Sequence, residues 1–141
     1  MGVAVVILNW NGKGFLEKFL PGVLKNSSVE DGKNSLIVAD NGSEDGSVEW
    51  IRANFPEVGI IELDKNYGFT GGYNRAFEQI RSNSEKFDYY LLLNSDIEVT
   101  PGWVDSLVSF MESHPRCGAC APKIRCYGAP DYFEHAGAAG G

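Results

Sequence analysis

The sequence contains no hydrophobic run long enough to cross a membrane, since none approaches the roughly 20 apolar residues of a spanning helix. Near the N-terminus it has a strand-like VAVVIL segment with no basic region before it, which argues against a signal peptide. Val6 stands where a myristoylation motif requires Ser or Thr. These absences predict a cytoplasmic protein that carries no visible membrane anchor.

Clusters of basic residues are missing as well. The chain has 12 Lys and Arg against 19 Asp and Glu, which gives a net charge of −7. This balance argues against nucleic acid as a partner, because binding its phosphate backbone requires a basic surface. A phosphorylated ligand would also be repelled, unless a bound cation or local backbone amides reverse the field at its site.

Cysteine is scarce, with Cys117, Cys120 and Cys126 as an odd set of three, which suits a reducing compartment. Cys117 and Cys120 have CxxC spacing and His114 lies nearby, but no second CxxC completes a set of four zinc ligands. We therefore interpret the pair as small buried residues of a strand in preference to a metal or redox site.

The apolar pattern of the 141 residues alternates between the spacings of strands and helices, within the length of a single domain. Pro21 predicts a kink or a break in the first helix. The order predicts an α/β fold, with an open, mainly parallel sheet and helices on both faces. Strands are predicted at 3–8, 34–39, 58–63 and 87–93, helices at 14–25, 47–55, 71–81 and 101–113, and extended structure at 118–125.

Polar side chains follow every one of the four predicted strands. Because ligands bind beyond the carboxyl ends of the strands in such a sheet, these clusters should gather at one edge. The clusters are Asn9-Trp10-Asn11-Gly12, the DNGSEDGS segment at 40–47, the DKNYGFTGGYN segment at 64–74, and Asn94-Ser95-Asp96.

Asp40 lies directly at a strand end, where its carboxylate can accept a hydrogen bond from a ring N–H such as that of uracil or thymine. The residues that follow it, 41–47, are interpreted as a turn and a helix cap, since Asn, Gly, Asp and Ser serve such roles. Asp40 is therefore the one member of its cluster that we assign to a ligand.

Gly71 and Gly72 open a predicted helix, and unpaired amides at a helix start attract an anion. The alternative is a loop whose glycines only permit unusual backbone angles. The pattern is neither a P-loop nor a G-x-G-x-x-G fingerprint, so its spacing alone does not decide.

Asn94 and Asp96 supply amide and carboxylate oxygens, which suit a hard divalent cation such as Mg²⁺ or Mn²⁺. An ion held by Asp96 would bridge to a diphosphate and offset the negative charge of the chain. The alternative is a helix cap ahead of Pro101, or a solvated turn. Glu98 is predicted to point to solvent.

Together, VVILNWNG, VADNGSEDGS, NYGFTGGYNRA and LLLNSDIEV resemble the inverting family-2 glycosyltransferases of GT-A fold, in order and spacing. Among these, the chain is most similar to bacterial rhamnosyltransferase-like members, over nearly its whole length. The resemblance implies a nucleotide-diphosphate sugar donor, a divalent cation (Mg or Mn), and a glycan or lipid-linked saccharide acceptor. It also implies polysaccharide assembly at the inner face of a membrane, with peripheral association of the full-length protein.

The resemblance assigns roles to residues of each motif. Asn94 replaces the first acid of the family's DXD-type metal motif, so Asp96 would carry most of the charge that holds the ion. The resemblance implies a nucleotide pocket lined by Asn9 and Asn11, a base contact at Asp40, nucleoside and phosphate contacts at Asn66, Gly71, Gly72 and Asn74, and donor contacts at Asn94 and Asp96.

The family's catalytic base lies further along the chain than Gly141, beyond an acceptor-binding segment. Glu134 and His135 are weak substitutes. We expect residues 1–141 to form the nucleotide-sugar-binding part of a catalytic domain and to be inactive alone.

Two other functions stay open. A nucleotidyltransferase typically has a Gly-rich loop with a basic residue after its first strand, and here WNGKGF offers Lys13 without an extended glycine loop. Such an enzyme would release diphosphate, whereas a sugar transferase releases a nucleoside diphosphate. The other alternative is a non-catalytic module that only binds a nucleotide sugar.

Overall fold

A computed structural model describes residues 2–135, and the chain divides into two compact units, residues 1–101 and 102–141. The first unit contains β1 (Val3–Asn9), α1 (Lys13–Asn26), β2 (Ser35–Asp40), α2 (Ser47–Asn54), β3 (Gly59–Glu62), α3 (Gly68–Ser82) and β4 (Tyr89–Leu93). The second contains α4 (Trp103–Ser113), β5 (Ile124–Cys126) and β6 (Ala129–His135).

The four strands of the first unit form one parallel sheet in the order β3-β2-β1-β4. This confirms the predicted α/β class and the parallel sheet. The chain moves from β1 outward to β3 and then returns to place β4 on the other side of β1. The order therefore reverses between β1 and β4, and an open sheet of this kind binds its ligand at that point, beyond the strand ends.

The sheet is covered on both faces, as its topology requires. Right-handed crossovers place α1 and α2 on one face and α3 on the other, because the direction of travel reverses after β3. Ala4 and Val6 of β1 pack in one cluster with Ala76 of α3. Val5 and Ile7 alternate with them, so they face the opposite side, and both are buried. β1 is thus a central strand with two apolar faces.

β4 is paired on one side only in the part of the chain that the structure describes, where its register sets Leu92 beside Val6. Val6 is buried, whereas 51% of Leu92 is exposed. The five residues of β4, Tyr-Tyr-Leu-Leu-Leu, include no charge and no proline. β4 therefore combines the composition of a buried strand with an edge position.

α1 and α3 each differ from the prediction in one feature. α1 runs through Pro21 without the predicted break into two pieces. Pro21 is exposed, so water can satisfy the carbonyl that loses its partner, while Leu16 and Leu20 stay buried on the other side. α3 begins at Gly68, three residues before the predicted start at Gly71. Long-range hydrogen bonds described below set this start.

The second unit differs from the expectation for residues 118–125. Only Ile124–Cys126 forms a strand there, and it pairs antiparallel with β6. Cys117 and Cys120 lie outside any strand, and Cys120 is exposed, so their interpretation as buried strand residues is wrong. Among residues 2–135, no three His, Cys, Asp or Glu side chains are grouped to hold a metal ion.

None of the helices in residues 2–135 has both the length and the apolar character needed to cross a membrane.

Candidate functional site

The ends of β1 and β2 are joined by a buried side-chain network. Asn9 is 1% exposed, and its Nδ2 donates to Asp40 Oδ1 at 2.9 Å and to Ser43 Oγ at 3.2 Å. Its Oδ1 is buried and has no hydrogen-bond partner among the described residues. A buried acceptor without a donor is costly, so this oxygen is an unsatisfied group at the end of β1.

Gly12 brings the network to the end of β4. A Cβ atom on Gly12 would lie 2.6 Å from Asn9 Oδ1 and 3.6 Å from Ser95 Oγ. The turn after β1 thus lies between the unpaired oxygen of Asn9 and the segment after β4. This is where the strand order reverses.

Asp40 is 3% exposed, and both of its carboxylate oxygens accept hydrogen bonds within the chain. Oδ1 accepts from Asn9, and Oδ2 accepts from the backbone N–H of Ser43 at 2.8 Å. Each oxygen has a second lone pair that a ligand could use. Asp40 also holds the turn after β2 against β1.

Asn11 links the same two turns on the exposed side. Its backbone N–H donates to Ser43 Oγ, and its Oδ1 accepts from the backbone N–H of Glu44, both at 2.8 Å. Asp45 Oδ1 accepts from the backbone N–H of Ser47 at 3.0 Å, in the first turn of α2. This bond confirms the predicted turn, whereas the predicted helix cap is wrong, since the N-cap of α2 is Gly46 and no side chain caps it.

Asn41 has a larger role than that interpretation gave it, and sequence reasoning missed it. It is 2% exposed, and its Nδ2 donates to Asn66 Oδ1 at 3.1 Å and to the carbonyl of Gly68 at 3.0 Å. Its Oδ1 accepts from the backbone N–H of Tyr67 at 2.9 Å. Asn41 therefore joins the end of β2 to the loop before α3.

The backbone after Asn41 also lies close to that loop. Gly42 has a φ of 78°, and a Cβ atom there would lie 2.9 Å from the Cα of Lys65. Only glycine meets both conditions without strain, since other residues rarely adopt this φ and would clash with backbone. Gly42 thus lets residues 64–67 lie directly on the turn after β2.

The side chain of Tyr67 also makes two contacts. Its hydroxyl donates to Asp64 Oδ1 at 2.5 Å, and the Arg75 guanidinium lies 3.8 Å from its ring centroid. The hydrogen bond from Tyr67 lowers the pKa of Asp64 below its ordinary value and, in turn, raises the pKa of Tyr67. These residues line a cleft of about 460 Å³ beside β3.

Replacing Tyr67 with phenylalanine is expected to raise the pKa of Asp64 back toward its ordinary value of 3.8, because the hydroxyl donor is the main cause of the shift. Carboxyl-carbon NMR across an acid titration measures this pKa. A carboxylate with a lowered pKa stabilises the fold above its unfolded pKa, and this contribution is lost as the pH falls through the folded pKa. The variant should therefore lose less stability on acidification. An unchanged Asp64 titration would contradict the assignment.

Gly71 and Gly72 lie inside α3 and not at its start, where they were predicted. Because the helix begins at Gly68, the unpaired amides of its first turn include those of Phe69 and Thr70, and Gly71 and Gly72 follow them. Gly72 is buried, and a Cβ there would lie 2.8 Å from Leu8 Cδ1 and 3.0 Å from Asn41 Nδ2. Its small size permits close packing of α3 on β1.

Three of the predicted ligand-binding side chains are exposed and make no hydrogen bond to another residue among 2–135: Asn74, Asn94 and Asp96. Asn94 and Asp96 lie in the turn directly after β4. Glu98 is also exposed, as expected. Trp10, which sequence reasoning left without a role, is 57% exposed beside Asn9 and Asn11. The feature of the sequence that pointed to Trp10 was its position directly after a strand.

The carboxyl edge of the sheet thus combines buried amides, an unpaired acceptor, the start of a helix and an exposed carboxylate. An open parallel sheet of this order defines a doubly wound α/β protein, and proteins of this class bind ligands at that edge. The sequence matches the family described as Glycosyl transferase family 2 over residues 4–138. The chain belongs to this family, which confirms the resemblance found in its motifs.

Curated relatives include sugar transferases whose names refer to lipid-linked substrates. The N-acetylglucosaminyl-diphospho-decaprenol L-rhamnosyltransferase of Mycobacterium tuberculosis is 28% identical over 127 residues, covering 86% of this chain and 40% of that relative. The undecaprenyl-phosphate 4-deoxy-4-formamido-L-arabinose transferase of Shewanella sediminis is 30% identical over 115 residues, covering 78% and 33%. The chain thus spans well under half the length of these relatives.

Solved structures share the fold. S. aureus TarS 1-349 in complex with UDP-GlcNAc has a TM-score of 0.66 at 15% identity, covering 92% of this chain and 42% of that one. The mannosyltransferase PcManGT from Pyrobaculum calidifontis, in complex with GDP-Man and Mn²⁺, has a TM-score of 0.64 at 17% identity, covering 87% and 33%. These similarities establish the GT-A fold of the chain.

Proposed function

We propose that this chain binds a nucleotide-diphosphate sugar at the carboxyl edge of its sheet. The whole protein would transfer the sugar, with inversion, to a glycan or a lipid-linked saccharide. The observation that carries the proposal is the exposed pair Asn94 and Asp96 at the switch point, beside the Asn9–Asp40 network. The relatives named above support the class of donor and acceptor.

A divalent cation, Mg²⁺ or Mn²⁺, fits the residues present. Asp96 offers an exposed carboxylate, and Asn94 offers a neutral oxygen two residues before it. No set of three ligating side chains exists among residues 2–135, and Mg²⁺ sites of one carboxylate completed by phosphates and water are common. When bound, such an ion would stabilise the negative charge of the departing diphosphate. Its presence in a complex with PcManGT supports this proposal.

The other residues of the edge would bind and orient the donor. Asn9 would position Asp40 for the base through the hydrogen bond from its Nδ2, since Asn9 itself is buried. Trp10 presents an exposed aromatic face suited to stacking on a ring. The amides at the start of α3 suit a phosphate. Asp40 would act on the base through its remaining lone pairs while it holds Asn9.

Rhamnose carried by dTDP is the donor that we propose, from the rhamnosyltransferase relative. The setting would be polysaccharide or lipid-linked saccharide assembly at the cytoplasmic face of a membrane. The full-length protein would associate with the membrane peripherally, to meet a lipid-linked acceptor.

Calorimetry with UDP, dTDP and GDP, each with and without Mn²⁺, tests the proposal. We expect one nucleotide to bind more tightly than the others and its affinity to rise with Mn²⁺, because the cation offsets repulsion between a diphosphate and a chain of net charge −7. Absence of binding by all three nucleotides under both conditions would contradict donor binding.

We expect little or no sugar transfer by this chain alone. It spans about 40% of the length of the rhamnosyltransferase relative, and the two weak candidates for the base, Glu134 and His135, lie in the second unit. Mass spectrometry of an assay with dTDP-rhamnose would detect both the transfer and the nucleoside diphosphate that it releases. Robust turnover would show that a base is present within the chain, and released diphosphate would favour a nucleotidyltransferase.

A further inference from the structure

We propose that Asn41 is a positioning residue for the nucleotide-diphosphate site, acting through Asn66 and the first turn of α3. This inference rests on the proposed function, because it concerns the same site. Asn41 is 2% exposed and its side-chain amide is fully bonded to residues 66–68, so it would act behind the site without touching the donor. Its effect would come from where it holds residues 66–68.

The side-chain amide of Asn41 uses every polar hydrogen that it has on this one segment. Its two Nδ2 hydrogens serve Asn66 Oδ1 and the carbonyl of Gly68, and its Oδ1 serves the N–H of Tyr67. The three partners are consecutive residues, which end the loop after β3 and begin α3. A buried side chain whose donors and acceptor are all paired holds its hydrogen-bond partners in fixed positions.

Asn66 receives its orientation from this contact. Its Oδ1 accepts both from Asn41 Nδ2 at 3.1 Å and from the backbone N–H of Gly68 at 2.8 Å. With that oxygen occupied, the exposed Asn66 side chain presents its own Nδ2 hydrogens outward. Asn41 thereby determines which group of Asn66 a ligand would meet.

The same contacts determine which helix amides are left for a ligand. The N–H groups of Tyr67 and Gly68 are used by Asn41 and Asn66. The next two, of Phe69 and Thr70, have no acceptor one turn back within the helix. Asn41 thus separates amides that anchor the loop from amides that remain for an anion such as a phosphate.

No isosteric residue can replace this amide. Aspartate has the same shape and keeps an acceptor for Tyr67, but it has no hydrogen to give to Asn66 Oδ1 or to the Gly68 carbonyl. A buried carboxylate oxygen would instead face the backbone carbonyl of Gly68 and be repelled, and Asn66 would have to turn its amide away from Gly68 to donate to it. Asn41→Asp should therefore shift residues 66–68 without altering the packing volume.

Asn34 provides a matched control. It is 5% exposed, its Nδ2 donates to the carbonyl of Ser27 at 2.8 Å, and its Oδ1 accepts from the backbone N–H of Val3 at 3.0 Å. It lies just before β2 begins, at the opposite edge of the sheet from the site. Asn34→Asp makes the same chemical change in a comparably buried amide that bridges two segments.

The experiment compares the wild type, Asn41→Asp and Asn34→Asp in three measurements. These are denaturant unfolding, amide hydrogen exchange at Tyr67 and Gly68, and calorimetric titration with dTDP, UDP and GDP in the presence of Mn²⁺. We expect both variants to lose stability. Only Asn41→Asp should speed exchange at Tyr67 and Gly68 relative to the rest of the sheet, and weaken nucleotide binding by about tenfold beyond the control.

The outcomes separate this inference from the proposed function. Equal affinities in the two variants, with a wild type that binds, would overturn the positioning role and leave donor binding intact. A wild type that binds none of the nucleotides would overturn the proposed function, and with it the inference, even if exchange shows that Asn41 fastens the loop. If Asn41→Asp does not fold, Asn41→Ser, which keeps one donor and one acceptor, replaces it with the same criteria.

Discussion

Replacing Asp96 with alanine is expected to abolish the Mn²⁺-dependent part of nucleotide-diphosphate binding. Asp96 is the exposed carboxylate nearest the end of β4, and Asn94 beside it is neutral, so the variant leaves the turn without a negative ligand. Residues that only support a ligand typically contribute tenfold to a hundredfold in metal affinity, so loss of the ligand itself should cost more than about a hundredfold. Calorimetry with and without Mn²⁺ measures the difference.

Glu98→Ala is the control for this variant. Glu98 is exposed and lies two residues further along, and its replacement changes the net charge of −7 by the same single unit. If Asp96 binds the ion, Glu98→Ala should retain the Mn²⁺ dependence. Equal losses in both variants would show that the general field of the chain, and not a ligand at position 96, governs binding.

Replacing Gly42 with alanine should cost about 2–5 kcal/mol of unfolding free energy, from two additive causes. Its φ of 78° is unfavourable for alanine, and the new Cβ would lie 2.9 Å from the backbone Cα of Lys65. Backbone cannot rotate away as a side chain can, so the turn and residues 64–67 must separate. We therefore expect nucleotide affinity to fall as well. Denaturant unfolding and calorimetry measure the two effects.

Gly32→Ala isolates the first cause. Gly32 has a φ of 69°, and a Cβ there would meet no atom within 4 Å. This variant should therefore show the cost of the backbone angle alone, about 1–2 kcal/mol, with unchanged nucleotide affinity. If both variants lose equal stability, contact with Lys65 does not constrain the turn after β2.

The sheet and its carboxyl edge could be predicted because their causes are local. Runs such as VAVVIL specify a strand buried on both faces, and each run ends in residues that need water or a partner. Once β-α-β alternation is recognised, chain geometry brings the strand ends together. The exposed position of Asn94 and Asp96 follows from the same pattern.

The features that sequence reasoning missed depend on contacts between distant residues. The start of α3 at Gly68 is supported by Asn41, whose bonds reach across about 25 residues of sequence. Asn-Gly after a strand predicts a turn equally well whether the amide faces solvent or a neighbouring loop. The burial of Gly72 against Leu8 likewise depends on how closely α3 approaches β1. Periodicity identifies the elements but does not give these distances.

The edge position of β4 has a practical consequence for handling the protein. Edge strands of this composition act as templates for pairing between molecules, and natural sheets usually guard against this with lysine or proline. Here, half-exposed Leu92 has no such neighbour within the strand, and the net charge of −7 supplies the opposing repulsion. Dilute samples at low ionic strength should therefore stay dispersed, whereas added salt should promote precipitation by screening that repulsion.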